Sequence, residues 1–387
     1  MTKIIENRAL LDKAVFGNIF IAGFDDMQKL VQNDIVEITT SKVKYVTASG
    51  HEFNRLLIEN DGMIDKMVAG SKLMGNRRID YCNLETTIKN SEVGNLACYT
   101  VDDYIDQLMQ IQDHLKNEYG IEADFSDATV KELEINRTFK LDGDFESYHR
   151  PTKLIMTNLP SYMKNQMDYK KVTKGNSEYQ TYYATSKSTN KSKRYLLFKI
   201  YNKSKAIENI ILLTDSYMRV EFRLVGAEKV KKALGTNKFA ELSDKVINDY
   251  FDKQIDKMIV KPFEKWQKDR DKYIVKLMKD ERERDIRHWQ SNVLRILQNE
   301  EIAQKRPVLL DIEELIPLVN QLDLKPNRRC DVKGNFRKQS QKFETVFCNN
   351  DHLKMGEILK KLTVKDTANT EKDTVIDSVF DGMVKTA

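Results

Sequence analysis

Several short stretches of this chain place charged residues at every second position among β-branched and aromatic ones. That alternation constrains the fold more than any other feature. In Met218-Arg219-Val220-Glu221-Phe222-Arg223-Leu224 the period is two throughout, and Leu133-Glu134-Ile135-Asn136-Arg137-Thr138 follows it in part. A strand sorts such residues onto two faces, one apolar and one polar. The expectation is therefore a sheet with helices on one side and a row of charged side chains on the other.

Strands are expected at 78–88, 131–139, 180–186, 194–202 and 217–225, with turn-like polar residues at 187–193 making a basic-tipped hairpin. A helix is expected at 100–119. Thr100 is its N-cap, Asp103 sits three residues on, Tyr104, Leu108, Ile111 and Leu115 keep helical spacing, and Gly120 ends it. A second helix reads over 146–164, broken by Pro151 and Pro160, and another begins near Ala227. Strand, helix, strand, helix, hairpin, strand, helix is an α+β layout with a largely antiparallel sheet.

Residues 1–71 read as an α/β segment that belongs to or packs on this core. It holds a short helix over 7–20 and strand-like alternation at 36–38 and 43–46. Residues 72–240 form the core itself, and 241–387 a helical C-terminal region. In that last part a long charged helix is interrupted at Pro262, a short apolar helix covers 308–322, a basic loop covers 328–338, and a small helix covers 353–362. The tail after 363 is frayed.

Charge and cysteine content narrow the functional classes. The net charge of +5 permits a nucleic-acid partner without requiring one. Between Lys164 and Lys205 there are 11 Lys/Arg and two acids, either a phosphate-binding surface or a solvated loop. No run of 18 apolar residues exists, and Glu6 and Asp12 interrupt the N-terminal apolar pattern, so neither a spanning helix nor a signal peptide is read. The four scattered cysteines contain no CxxC and read as reduced thiols of a cytoplasmic protein. The five histidines form neither HxH nor HExxH. P-loop and GxSxG motifs are absent.

The remaining chemistry lies in the strands. Glu85, Glu134, Asn136 and Glu221 offer oxygen ligands that suit Mg²⁺ or Mn²⁺ if they converge on one sheet face. Otherwise they are carboxylates of a solvated face. Tyr201 ends the strand Lys199-Ile200-Tyr201-Asn202-Lys203, and strand spacing would bring the Lys203 ammonium beside its phenol. A nearby cation and a metal-bound phosphate would favour phenolate and so a nucleophile. The other reading is an edge tyrosine packing its ring.

Taken in order, four segments resemble the filamentous-phage gene II replication endonucleases and related plasmid rolling-circle replication initiators. They are Tyr81-Cys82-Asn83-Leu84-Glu85-Thr86-Thr87-Ile88, Glu134-Ile135-Asn136-Arg137-Thr138-Phe139, Leu197-Phe198-Lys199-Ile200-Tyr201-Asn202-Lys203 through Glu208, and Met218 through Leu224. The resemblance spans about 78–240. It implies an HUH-like nuclease core without the His-x-His motif. Tyr201 would be the nicking nucleophile, joined to a 5′ phosphate, with Lys203 assisting. Glu85 and Glu221 would be in or beside a divalent-metal site. Where the family has Asp this chain has Asn136, which leaves Glu134 as the alternative ligand. The DNA partner is a single-stranded or locally melted origin, held by Lys187, Lys191, Lys193 and Arg194 of the hairpin with Arg219 and Arg223. Residues 257–295 and 328–338 would bind origin duplex or a host helicase, or merely brace the sheet. A mobilisation relaxase would use the same chemistry. A non-catalytic origin-binding protein would leave Tyr201 incidental.

Overall fold

The computed structural model describes residues 8–21, 43–46, 55–74, 77–87, 99–163, 168–174, 177–186, 196–208, 213–304 and 306–363. The strands, in chain order, are β1 (Leu10–Gly17), β2 (Phe20–Ile21), β3 (Val43–Val46), β4 (Arg55–Asp61), β5 (Ile64–Met74), β6 (Arg77–Thr86), β7 (Ala123–Asp124), β8 (Thr129–Lys140), β9 (Asp168–Lys174), β10 (Ser177–Thr185), β11 (Leu196–Asn202) and β12 (Tyr217–Val225). Ten of them form one antiparallel sheet in the order β3-β4-β5-β6-β1-β8-β12-β11-β10-β9, and β2 pairs with β7 apart from it. The helices are α1 (Val101–Tyr119), α2 (His149–Asn158), α3 (Lys203–Ala206), α4 (Ala227–Leu234), α5 (Asp244–Ile255), α6 (Lys261–Arg284), α7 (Trp289–Gln304), α8 (Pro326–Ser340) and α9 (Asp351–Thr363), with single helical turns besides at Ile312–Leu315 and Glu344–Phe347. The α+β class with a largely antiparallel sheet is the architecture observed.

The sheet is built by the alternation read in the sequence. Phe198, Ile200, Val220, Phe222, Leu133 and Ile135 lie on one face, all buried. Phe222 meets Tyr250 and Phe251 of α5 at ring distances of 6.5 and 5.3 Å. Burying each such side chain contributes roughly 1.5–3 kcal/mol. Helix α1 starts at the expected capping box, with Thr100 and Asp103 bonding each other's backbone N–H, and ends at Gly120 in the left-handed region (φ 64°).

Several expectations are corrected. Residues 10–17 form a strand, not part of a helix. A register shift between Leu11 and Lys13 bulges β1 at Asp12, so Leu10, Leu11 and Ala14 fall at helix-like spacing. The boundary at 72 falls inside β5, and β1 sits in mid-sheet between β6 and β8, so 1–71 contributes to the sheet itself. Pro151 lies in the first turn of α2, where proline is tolerated, and does not break it. Pro262 likewise stands in the first turn of α6, and a π turn at Asp256–Val260 carries the chain from α5 into α6. The basic segment 328–338 lies within α8, whose buried residues are Val332, Phe336 and Ser340. Within 308–322 only a short helix (Ile312–Leu315) and a 3₁₀ stretch (Ile316–Gln321) form. The alternating 36–38, the hairpin tip 187–194 and the tail after 363 lie outside the described residues.

The boundary near 240 is also displaced. Helix α5 packs with the sheet core, and a second core runs from Ile274 to Phe347 through α6, α7 and α8. Helix α9 then returns to the sheet core with Met355, Ile358 and Leu362. The buried Arg137 guanidinium fixes it there, donating to the Leu362 carbonyl (2.7 Å) and to Asp252 (3.0 Å). Arg150 of α2 ties the two cores through Glu301 (3.0 Å) and Asp351 (2.8 Å). Among the described residues no helix is long and apolar enough to cross a membrane, and Cys82, Cys330 and Cys348 are unpaired.

Candidate metal centre and tyrosine site

The polar face of β8, β12, β11 and β10 is organised in rungs, because residues directly opposite in antiparallel strands project to the same side. One rung is Thr138, Arg219, Tyr201 and Thr181. The next is Asn136, Glu221, Lys199 and Tyr183, and the next Glu134, Arg223 and Leu197. The bulge in β1 adds Asp12 from the neighbouring strand. Carboxylate oxygens of Asp12, Glu134 and Glu221 lie within 4.8 Å of one another, and all three residues are buried.

Cations surround this cluster. Lys199 reaches Glu221 at 2.5 Å and Glu134 at 4.0 Å. Arg219, fully buried, donates to Asp12 (2.8 Å) and to the Thr138 hydroxyl (2.7 Å). Arg223 lies 3.4 Å from Glu134 and pairs closely with Glu132. The Tyr201 hydroxyl donates to Glu221 Oε2 at 3.4 Å.

The electrostatics follow from this crowding. Burial, then the charge of Glu221, pushes the Glu134 carboxyl up to about 7, against Lys199 and Arg223, which lower it. Burial pulls the Lys199 ammonium down, but Glu221 and Glu134 outweigh it and keep the lysine charged above its ordinary range. Burial raises the Tyr201 phenol well above its usual value. Arg219 opposes that, while Glu221, Asp12 and Glu134 add to it. Asp12, Glu134 and Glu221 bring carboxylate oxygens together on one face, even with a cation beside each of them. A divalent cation with oxygen ligands fits that donor set.

The structure brings together Tyr201, Glu134, Asn136 and Glu221 among the residues singled out from sequence. Asn136 is fully buried opposite Glu221, within reach of the Leu10 carbonyl (3.5 Å) and the Thr138 hydroxyl (3.4 Å). Glu85 stands apart. It lies on β6 beyond β1, paired with Lys13, and is not in the three-carboxylate cluster. The strand ends at Asn202, whose side chain caps α3 by accepting from the Lys205 N–H (3.0 Å). Lys203 therefore leaves the strand and is buried at the start of α3; the lysine sharing Tyr201's strand face is Lys199. Arg219 is an internal partner of Asp12 rather than a surface cation. Arg223 stays about one-third exposed. Lys187, Lys191, Lys193 and Arg194 lie outside the described residues.

Sequence reasoning missed Asp12, Lys199 and Thr181. An acid inside the apolar run 9–16 was the available signal for Asp12. Lys199, at i−2 from Tyr201, was legible from strand period alone. Thr181, opposite Tyr201 and 7% exposed, has a hydroxyl with no hydrogen-bond partner among the described residues.

No family model matches the chain, and no curated protein matches it. Among solved structures it is similar to the di-domain ARO/CYC BexL from the BE-7585A biosynthetic pathway. That likeness has a TM-score of 0.15 and 10% identity over 62% of this chain and 92% of that one, and it carries no argument about fold or function.

Proposed function

We propose that this chain is a tyrosine-dependent DNA strand transferase of the rolling-circle initiator type, with an HUH-like core that lacks the His-x-His motif. The observation that carries the reading is one buried phenol, Tyr201, bonded to a carboxylate of a three-acid cluster on the same sheet face. Asp12, Glu134 and Glu221 would hold Mg²⁺ or Mn²⁺, with Asn136 alongside. The ion would supply Lewis-acid polarisation of a phosphate.

The chain's own residues do the rest. Glu221 Oε2 accepts the Tyr201 proton as the phenol oxygen attacks phosphorus in line. The new bond joins Tyr201 to the 5′ phosphate, the P–O3′ bond breaks, and the proton passes to the departing 3′ oxygen. The phosphodiester energy stays in the phosphotyrosine, so a later hydroxyl can reverse the step. Arg219 offsets charge on the phenolate. Thr181 offers a hydroxyl to a phosphate oxygen. Lys199 and Arg223, both partly exposed, are the cations that a backbone phosphate meets first.

A second reading has a specific observation in its favour. Each of the three carboxylates already has a cationic partner, Lys199, Arg219 or Arg223, as a structural network would require. On that reading the protein binds origin DNA without cutting it. Supercoiled plasmid carrying the coding gene with its flanking DNA separates the two when incubated with the full chain and Mn²⁺. Nicked circles with detergent-resistant bound protein, lost in chelator, are expected. Intact circles with only a mobility shift would leave the binding protein. Whether the nicked site is a replication or a transfer origin separates initiator from relaxase.

A further inference from the structure

The seam between the two cores holds a cleft of about 750 Å³, a size typical of ligand sites, in the kind of place where they concentrate. One wall is the π turn Asp256–Val260 with the first turns of α6. The facing wall is the end of α2 with Gln304, Arg306, Pro307 and Val308. The row of cations on the first wall is regular. Lys257, Lys261 and Lys265 are four residues apart, so they lie along one helix face with roughly 6 Å between successive positions. All three are exposed, as is Arg306 on the other side.

Charge is lopsided in this cleft. Four exposed cations, Lys257, Lys261, Lys265 and Arg306, line it against two carboxylates, Asp269 and Glu300, while Arg270 is buried and paired with Asp271 and Glu314. Lys261 is paired with Asp256, whereas Lys265 has no ion-pair partner among the described residues. Aromatic rings stand among these cations. Tyr273 is 38% exposed, and its hydroxyl is tied to Glu300. Trp266 is half-buried, with Phe263 5.5 Å away and the Arg270 guanidinium 4.6 Å over its ring. A solvated charged face needs no rings, and an apolar partner would not choose a row of lysines. Cations for phosphates and an aromatic for a base are what an unpaired strand needs. A base that stacks on a side-chain ring must be unpaired, which a duplex does not offer.

We infer that this cleft is a nucleic-acid site separate from the tyrosine centre. It takes one or two nucleotides of a single strand, with phosphates on Lys257, Lys261, Lys265 and Arg306 and a base against Tyr273. The site needs neither metal nor Tyr201, so it stands or falls apart from the nicking chemistry.

The test is anisotropy of fluorescein-labelled dT12 and U12 with the full chain in chelator, read together with tryptophan emission. The chain has two tryptophans, and Trp289 is buried in the second core, so a change on binding reports Trp266. Saturable binding with altered emission is expected for at least one oligomer. The K261E/K265E double variant, with an unchanged circular dichroism spectrum, should bind about ten-fold more weakly. Its salt dependence of log K should be shallower by about 1.4. Tyr273→Ala should weaken binding by about five-fold or more. No binding of either oligomer, wild-type affinity in the double variant, or a 12-base-pair duplex that binds as tightly with the same emission change would overturn the assignment.

Discussion

The two faces of the central sheet are buried to a similar degree by opposite means. On one, Phe198, Val220 and Phe222 are fully buried in an apolar core, with Arg137 the charged neighbour opposite Val220. On the other, Arg219, Glu221 and Asn136 are enclosed just as fully while carrying charge or an amide. Apolar burial stabilises directly. Buried charge costs desolvation that even a good ion pair only roughly offsets. A chain selected for stability alone has no reason to gather three carboxylates within 4.8 Å. On the proposed function, the polar face would serve the chemistry and the apolar face would hold it in register.

Matched substitutions on the two faces test that division. The largest effect is expected at Tyr201→Phe, which should lower nicking by at least about 10³-fold while leaving the melting temperature nearly unchanged. Glu221→Gln should behave alike. Gel assays of nicked circles beside thermal melts read both quantities. A melt shifted as strongly as the activity would make these residues structural. On the opposite face Phe222→Ala should cost about 3–5 kcal/mol in denaturant unfolding, with nicking per folded molecule retained.

A smaller effect is set by pH. Glu134, pushed up to about 7, must lose its proton to bind a cation. Mn²⁺ affinity should therefore fall by up to about ten-fold per pH unit below 7 and level off above it. Without metal the sign reverses. A raised carboxyl contributes stability that is full below the ordinary value of 4.5 and is lost as pH rises through about 7. Calorimetric Mn²⁺ titrations from pH 5.5 to 8.5 check the first statement, and Glu134→Gln should flatten the profile. The smallest effect is expected at Lys199→Met. Removing the ammonium that bridges Glu221 and Glu134 should raise Mn²⁺ affinity a few-fold while slowing nicking. Weaker Mn²⁺ binding in that variant would mean the lysine supports the site rather than competing for it.

How much of this is legible in the sequence depends on regular period. The 217–225 strand alternates without a break, so its period alone puts Arg219, Glu221 and Arg223 on one face. The 100–119 helix is equally plain from its caps. Asp12 is hidden by the feature that delivers it. The bulge between Leu11 and Lys13 turns Asp12 toward β8 and at the same time breaks the alternation that marks a strand. Lys203 misleads because Asn202 can be strand or helix cap, and the protein uses it as both the last strand residue and the cap. Helix α8 resembles a loop in sequence since only Val332, Phe336 and Ser340 face inward, too narrow a stripe among charges to show a helical period. Burial is also out of reach. Nothing in Arg-x-Glu-x-Arg says that the first arginine is enclosed and the second partly exposed.

On the proposed nicking chemistry, one phenol oxygen, Tyr201 Oη, would be the point of attachment to DNA. The decisive measurement is mass spectrometry of the adduct formed with Mn²⁺, after digestion with nuclease and trypsin. A nucleotide on the peptide Ile200-Tyr201-Asn202-Lys203 is expected. Its appearance on any other tyrosine peptide, or a nicked product with no covalent protein at all, would contradict that assignment.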